Sequence, residues 1–63
     1  MIKNQYNLGQ TLYYIRNKKL NCGPVLRLFY DDPDWKYDIN DFNAKEKDLF
    51  DNALEAETAY QNS

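Results

Sequence analysis

Ten carboxylates and no histidine define the chemistry open to this chain. Asp31, Asp32, Asp34 and Asp38 lie within eight residues, and hard cations such as calcium take oxygen ligands of this kind. The run lacks the central glycine and the closing glutamate of a calcium loop. It reads as a solvated acidic turn, and no metal or other cofactor is expected. General acid and base work near neutral pH falls most often to histidine. Ser63, the only serine, is the last residue, where nothing holds a nucleophile still. Cys22 is the only cysteine, which removes any intrachain disulfide and every Cys/His zinc pattern. It reads as a small apolar filler. A carboxylate pair needs surrounding wall to raise the pKa of one acid, and 63 residues leave little of it. The chain is expected not to be an enzyme.

Binding chemistry is better supplied. Residues 1–30 carry Lys3, Arg16, Lys18, Lys19 and Arg27 with no acid, a balance of +5, whereas residues 31–63 set all ten acids against Lys36, Lys45 and Lys47, a balance of −7. If the halves fold onto each other, their fields cancel. If they do not, the chain has a basic face suited to nucleic acid or an acidic face suited to a basic protein. Tyr13, Tyr14, Tyr30, Trp35 and Tyr37 could stack on unpaired bases beside Arg16, Lys18, Lys19 and Arg27. A core built from so few residues needs large side chains, so part of this set is expected inside. An aromatic left exposed beside a charge is a candidate hot spot for a protein partner. The candidate binding surface is therefore Arg16, Lys18, Lys19, Arg27, Tyr13, Tyr30, Asp31, Asp32 and Asp34.

The elements that must position these residues are few. A chain of 63 residues, 43% hydrophobic and 16% aromatic, makes one domain, with residues 1–8 read as a flexible N-terminus. Its core is thin, and homodimerisation would thicken it. No signal-like or membrane-spanning apolar run is present, so a cytoplasmic protein is expected, with no membrane partner.

Gln10–Arg16 is short, aromatic and branched, which favours a strand; a helix from Leu8 to Lys19 fits the same apolar spacing. Asn17-Lys18-Lys19 suits a hairpin loop. Leu20–Tyr30 continues as a second strand, with a bulge or bend expected at Gly23-Pro24 because Pro24 has no amide hydrogen. Asp31–Asp34 is a turn. Trp35, Tyr37 and Ile39 alternate with Lys36 and Asp38, the clearest period-two pattern in the chain. The residue types then change to Ala, Leu, Glu and Lys. Asn52 with Glu55 would cap a helix Ala53–Gln61, and Asn43 with Glu46 a longer one from Ala44. The shorter is favoured, with Lys45–Phe50 extended or irregular before it and Leu49, Phe50, Ala53, Leu54 and Tyr60 near one face.

In this order, Gly9-x-x-Leu12-Tyr13-Tyr14-Ile15, a polar loop, Gly23-x-Val25, an acidic turn, Trp35-x-Tyr37 and Asp48-Leu49-Phe50 before a Glu-rich helix resemble a small SH3-like β-barrel of the kind seen in short bacterial and phage proteins. The resemblance implies binding through a barrel face or an exposed edge and brings no catalytic residues. Leu8-Gly9-Gln10-x-Leu12-x-x-Ile15-Arg16-x-Lys18-Lys19 also resembles the first helix of helix-turn-helix repressors, but Asn21-Cys22-Gly23-Pro24 does not continue that motif.

The expectation is thus an α+β, mainly β domain: a small antiparallel SH3-like sheet or barrel of three to four strands with a C-terminal helix. Its expected role is that of a phage- or prophage-type accessory protein that modulates a host or phage protein by binding it. A small nucleic-acid-binding protein using the basic N-terminal half is the alternative.

Overall fold

A computed structural model describes residues 3–62, and Met1, Ile2 and Ser63 lie outside the described residues. Four antiparallel strands, β1 (Thr11–Arg16), β2 (Lys19–Asp31), β3 (Asp34–Ile39) and β4 (Phe42–Lys45), follow one another across a sheet of order β1-β2-β3-β4. A 3-10 turn (Glu46–Asp48) leads to the helix α1 (Ala53–Gln61). The class is α+β and mainly β. Residues 11–16 form a strand, so the helical alternative across Leu8–Lys19 is removed, and with it the repressor-like first helix.

Each hairpin loop has two residues, and their composition explains why. Asn17 and Lys18 both adopt positive φ (55° and 63°) between the paired Arg16 and Lys19. That is the turn whose twist matches the flanking strands, and asparagine tolerates it well. Asp32-Pro33, joined by a cis peptide bond, links Asp31 to Asp34. Asn40-Asp41 joins Ile39 to Phe42, with Asn40 at φ 57°.

β2 is shared by two ladders. Residues 19–24 pair with β1 and residues 25–31 with β3, and the register shifts between Val25 and Arg27. The irregularity therefore falls after Gly23-Pro24, not at it. The Val25 amide donates to Gln10 O at 3.0 Å, and amide directions alternate along a strand, so the missing Pro24 amide points away from β1 and costs that ladder nothing. The shift changes which side chains face inward. Gly23 and Val25 are buried before it, while after it Leu28 faces Tyr37 and Tyr30 faces Trp35, leaving the bulged Leu26 59% exposed. Cys22, expected as an apolar filler, is exposed because the inward positions belong to its neighbours.

The core joins Leu12 and Tyr14 of β1, Val25 of β2, Tyr37 and Ile39 of β3, Ala44 of β4, and Leu49. Leu12, Tyr37 and Ile39 are fully buried, and each such side chain stabilises the fold by about 1.5–3 kcal/mol. Tyr6, inside the segment read as a flexible N-terminus, completes this cluster. It packs edge-on against Tyr37 with ring centroids 5.7 Å apart, and its hydroxyl donates to Leu49 O at 3.1 Å. Residues 4–7 form a strap, with the Gln5 amide donating to Glu46 Oε2 at 2.9 Å and the Tyr6 amide to Tyr37 Oη at 3.3 Å.

Beyond the 3-10 turn the chain returns to the outer edge of β1 in one bridge, where Tyr13 and Phe50 exchange backbone hydrogen bonds of 2.7 and 2.9 Å. The sheet is not closed. α1 starts where Asn52 Oδ1 accepts from the Glu55 amide at 2.8 Å, so the shorter capped helix forms. Ala56 is its buried residue, whereas Leu54, expected near one face with Leu49, is 74% exposed while Leu49 is buried. Among the described residues no helix is long and apolar enough to cross a membrane.

Candidate binding surfaces

Thirteen residues of β2 at about 3.3 Å each would span roughly 40 Å if straight. It runs through both ladders, pairing first with β1 and then with β3. Its two ends carry opposite charge, because the hairpin that enters it holds Arg16, Lys18 and Lys19 and the one that leaves it holds Asp31, Asp32 and Asp34. The fold thus separates most of the basic and acidic candidates rather than cancelling them.

At the basic end, the Arg16 guanidinium lies 4.3 Å from the centre of the Phe42 ring, which in turn stacks on Tyr14 at 5.1 Å. This stack ties the last residue of β1 to the first of β4 and fixes where the cation sits. Lys18 and Lys19 are exposed beside it, and none of these three cations forms an ion pair among the described residues. A hollow of about 300 Å³ there is lined by Arg16, Lys19, Asn21, Asn40 and Asp41.

Arg27 does not join this group. It stands on the outer face of β2, where its Nε lies 2.8 Å from Asp38 Oδ2 of β3 and its guanidinium 5.0 Å from the Phe29 ring centre. Asp38 also accepts from Asn43 Nδ2 at 2.7 Å. Those hydrogen bonds, Asn43 first and Arg27 second, hold the Asp38 carboxyl below its ordinary range against the opposing effect of partial burial. Arg27 and Asp38 thus form the one ion pair between the basic and acidic halves among the described residues. Tyr13 is also set apart: it is half-buried, with its backbone engaged by Phe50.

The acidic end combines charge with aromatic surface. Tyr30 and Trp35 face each other across β2 and β3 in an edge-to-face pair, with centroids 5.5 Å apart and planes at 63°. Tyr30 is 41% exposed and its hydroxyl donates to Asp32 Oδ1 at 2.8 Å. That bond, followed by desolvation and the charges of Asp32 and Asp34, raises the Tyr30 pKa. Lys36 Nζ reaches Asp31 Oδ2 at 2.8 Å, which leaves Asp32 and Asp34 as the carboxylates without an ion pair at this end among the described residues. No group of three or more His, Cys, Asp or Glu is arranged to hold a metal ion among the described residues.

Trp35 entered the sequence reading as one member of an aromatic platform; the structure makes it the partner of Tyr30. Its position directly after the acidic turn was the signal for that. Glu46 was missed as more than a cap. It accepts from Tyr37 Oη at 2.5 Å as well as from Gln5 N, and so joins β3 to the N-terminal strap.

Comparison with known proteins finds no matching family model, no matching curated protein and no matching solved structure.

Proposed function

We propose that the chain is a non-enzymatic protein-binding module, an accessory protein of the phage or prophage type that acts in the cytoplasm by modulating a host or phage protein. It presents the acidic end of β2 to a cationic segment of that partner. The observation that carries this reading is the pairing of Tyr30 and Trp35 beside Asp32 and Asp34 on one hairpin. A tyrosine and a tryptophan supply rigid contact area to an incoming Lys or Arg stem, the ring faces favour its cation, and the carboxylates steer it in. In support of the SH3-like reading, a four-strand meander is followed by a 3-10 turn and a return to the edge of β1.

The test is a titration of labelled Lys/Arg-rich peptide at low and physiological salt. Binding that weakens with salt and falls about tenfold in D32N/D34N is expected, in line with losing charged partners at an interface. Equal binding by wild type and the double variant removes the reading.

One observation favours nucleic acid as the second reading: Arg16, Lys18 and Lys19 share an end with no ion pair among the described residues. It requires oligonucleotide affinity with a steep salt slope that collapses in R16A/K18A/K19A.

A further inference from the structure

A second surface lies away from the hairpin ends, between the N-terminal strap and α1. There a groove of about 600 Å³ is floored by Tyr6, Leu49, Phe50 and Leu54. Its volume falls in the range of ordinary ligand clefts. An exposed leucine alone means little, but Leu54 shares this groove with Tyr6, Leu49 and the half-buried Phe50. Leu54 is 74% exposed over this groove, on a helix whose buried residue is Ala56.

The floor is held in place before anything binds. Tyr6 is 7% exposed and bonded to Leu49 O, and Leu49 is itself 3% exposed. The rim is held as well, since Glu46 is fixed by the Gln5 amide and the Tyr37 hydroxyl. Glu46 and Glu55 line the groove against Lys47. Burial, followed by the charges of Asp51, Glu46 and Glu55, raises the Tyr6 pKa. α1 adds no base in its last turn. Charge complementarity therefore selects a cationic occupant, and the apolar floor requires that occupant to bring an apolar side chain.

We infer that this groove is a docking site for a cationic amphipathic segment of a partner protein, with an apolar side chain over Tyr6, Leu49 and Leu54 and flanking Lys or Arg groups on the carboxylates of the rim. This goes beyond the acidic hairpin, which needs only a Lys or Arg side chain and lies on other residues.

Three labelled peptides test it on the full chain: one with leucines at helical spacing among lysines, one with the lysines exchanged for glutamates, and one of lysines alone. The Leu/Lys peptide is expected to bind and to shift the amide resonances of Tyr6, Leu49, Leu54 and Thr58. L54K and E55K, both at exposed positions, are expected to weaken it by about tenfold and a few-fold respectively, as loss of an anchor and of a rim charge would. D32N/D34N is expected to leave the shifts at Tyr6, Leu49, Leu54 and Thr58 unchanged. Amide dispersion in each variant verifies that the fold is kept. Equal binding of the Glu peptide, insensitivity to L54K, or shifts confined to residues 30–35 would overturn the inference. In that last case the lysine-only peptide still reports on the acidic hairpin, so the two surfaces fail separately.

Discussion

Tyr37 Oη donates to Glu46 Oε2 at 2.5 Å, and the same carboxylate oxygen accepts from the Gln5 amide at 2.9 Å. The bond joins the most buried tyrosine of the core to the 3-10 turn and, through it, to the N-terminal strap. Burial, followed by the hydrogen bond to Glu46, pushes the Tyr37 hydroxyl up from 10.0 to about 12. An acid whose folded pKa is raised contributes stability that is complete below its unfolded pKa and is lost as pH rises through the folded value. Urea midpoints are therefore expected to fall between about pH 10 and 12. Y37F should flatten that decline while costing about 1 kcal/mol at neutral pH, the usual worth of one hydrogen bond. An unchanged pH profile in Y37F contradicts the role given to this contact.

Gly23 is reserved for the Asn40 side chain. A Cβ at position 23 would sit 2.8 Å from Asn40 Oδ1, and Asn40 Nδ2 donates to Tyr14 Oη at 2.9 Å and to Cys22 O at 3.3 Å. Gly23→Ala must displace it. A loss of about 0.5–1.5 kcal/mol is expected, the net worth of a hydrogen bond given up by an exposed side chain. In an Asn40→Gly background, where the obstacle is gone and positive φ is kept, the same change should cost much less. Denaturation of the four proteins in this cycle measures the coupling.

Lys18 holds φ 63° at the second position of the β1–β2 turn, where glycine is preferred. Lys18→Gly is expected to raise stability by about 0.5–1 kcal/mol, since relief of a left-handed non-glycine residue exceeds the added chain entropy. Thermal denaturation reads this as a rise in Tm. A fall would show that the Lys18 side chain makes a stabilising contact.

Leu12 is fully buried at the centre of a small core. Leu12→Ala should cost about 2–5 kcal/mol. At about 0.05–0.15 kcal/mol per residue, a domain of 63 residues has roughly 3–9 kcal/mol in all. Substantial loss of the folded population at 25 °C is expected, visible as collapsed amide dispersion.

Local patterns in the sequence carried most of the fold. The alternation of Trp35, Tyr37 and Ile39 placed β3, the branched and aromatic run to Arg16 placed β1, and Asn52 with Glu55 marked the start of α1, because each rests on contacts within a few residues. What depended on distant contacts was less legible. Tyr6 enters the core only because Leu49 and Tyr37 receive it from 43 and 31 positions away. Leu26 faces outward because of where the β2 register shifts, since a one-residue slip turns every later side chain to the other face. Among the candidate residues, charge patterning along the chain left open whether the basic and acidic groups meet, and the structure puts Arg16, Lys18 and Lys19 on one hairpin and Asp31, Asp32 and Asp34 on another. It did not reveal that Arg27 is neutralised by Asp38, a partner 11 positions along on the neighbouring strand.

The role of the acidic end is tested most directly by following backbone amides of the full chain during addition of a lysine-only peptide. Shifts centred on Tyr30, Asp32, Asp34 and Trp35, abolished in D32N/D34N and weakened by salt, are the expected result. Shifts centred instead on Arg16, Lys18 and Lys19, or none at any residue, would contradict binding through this hairpin.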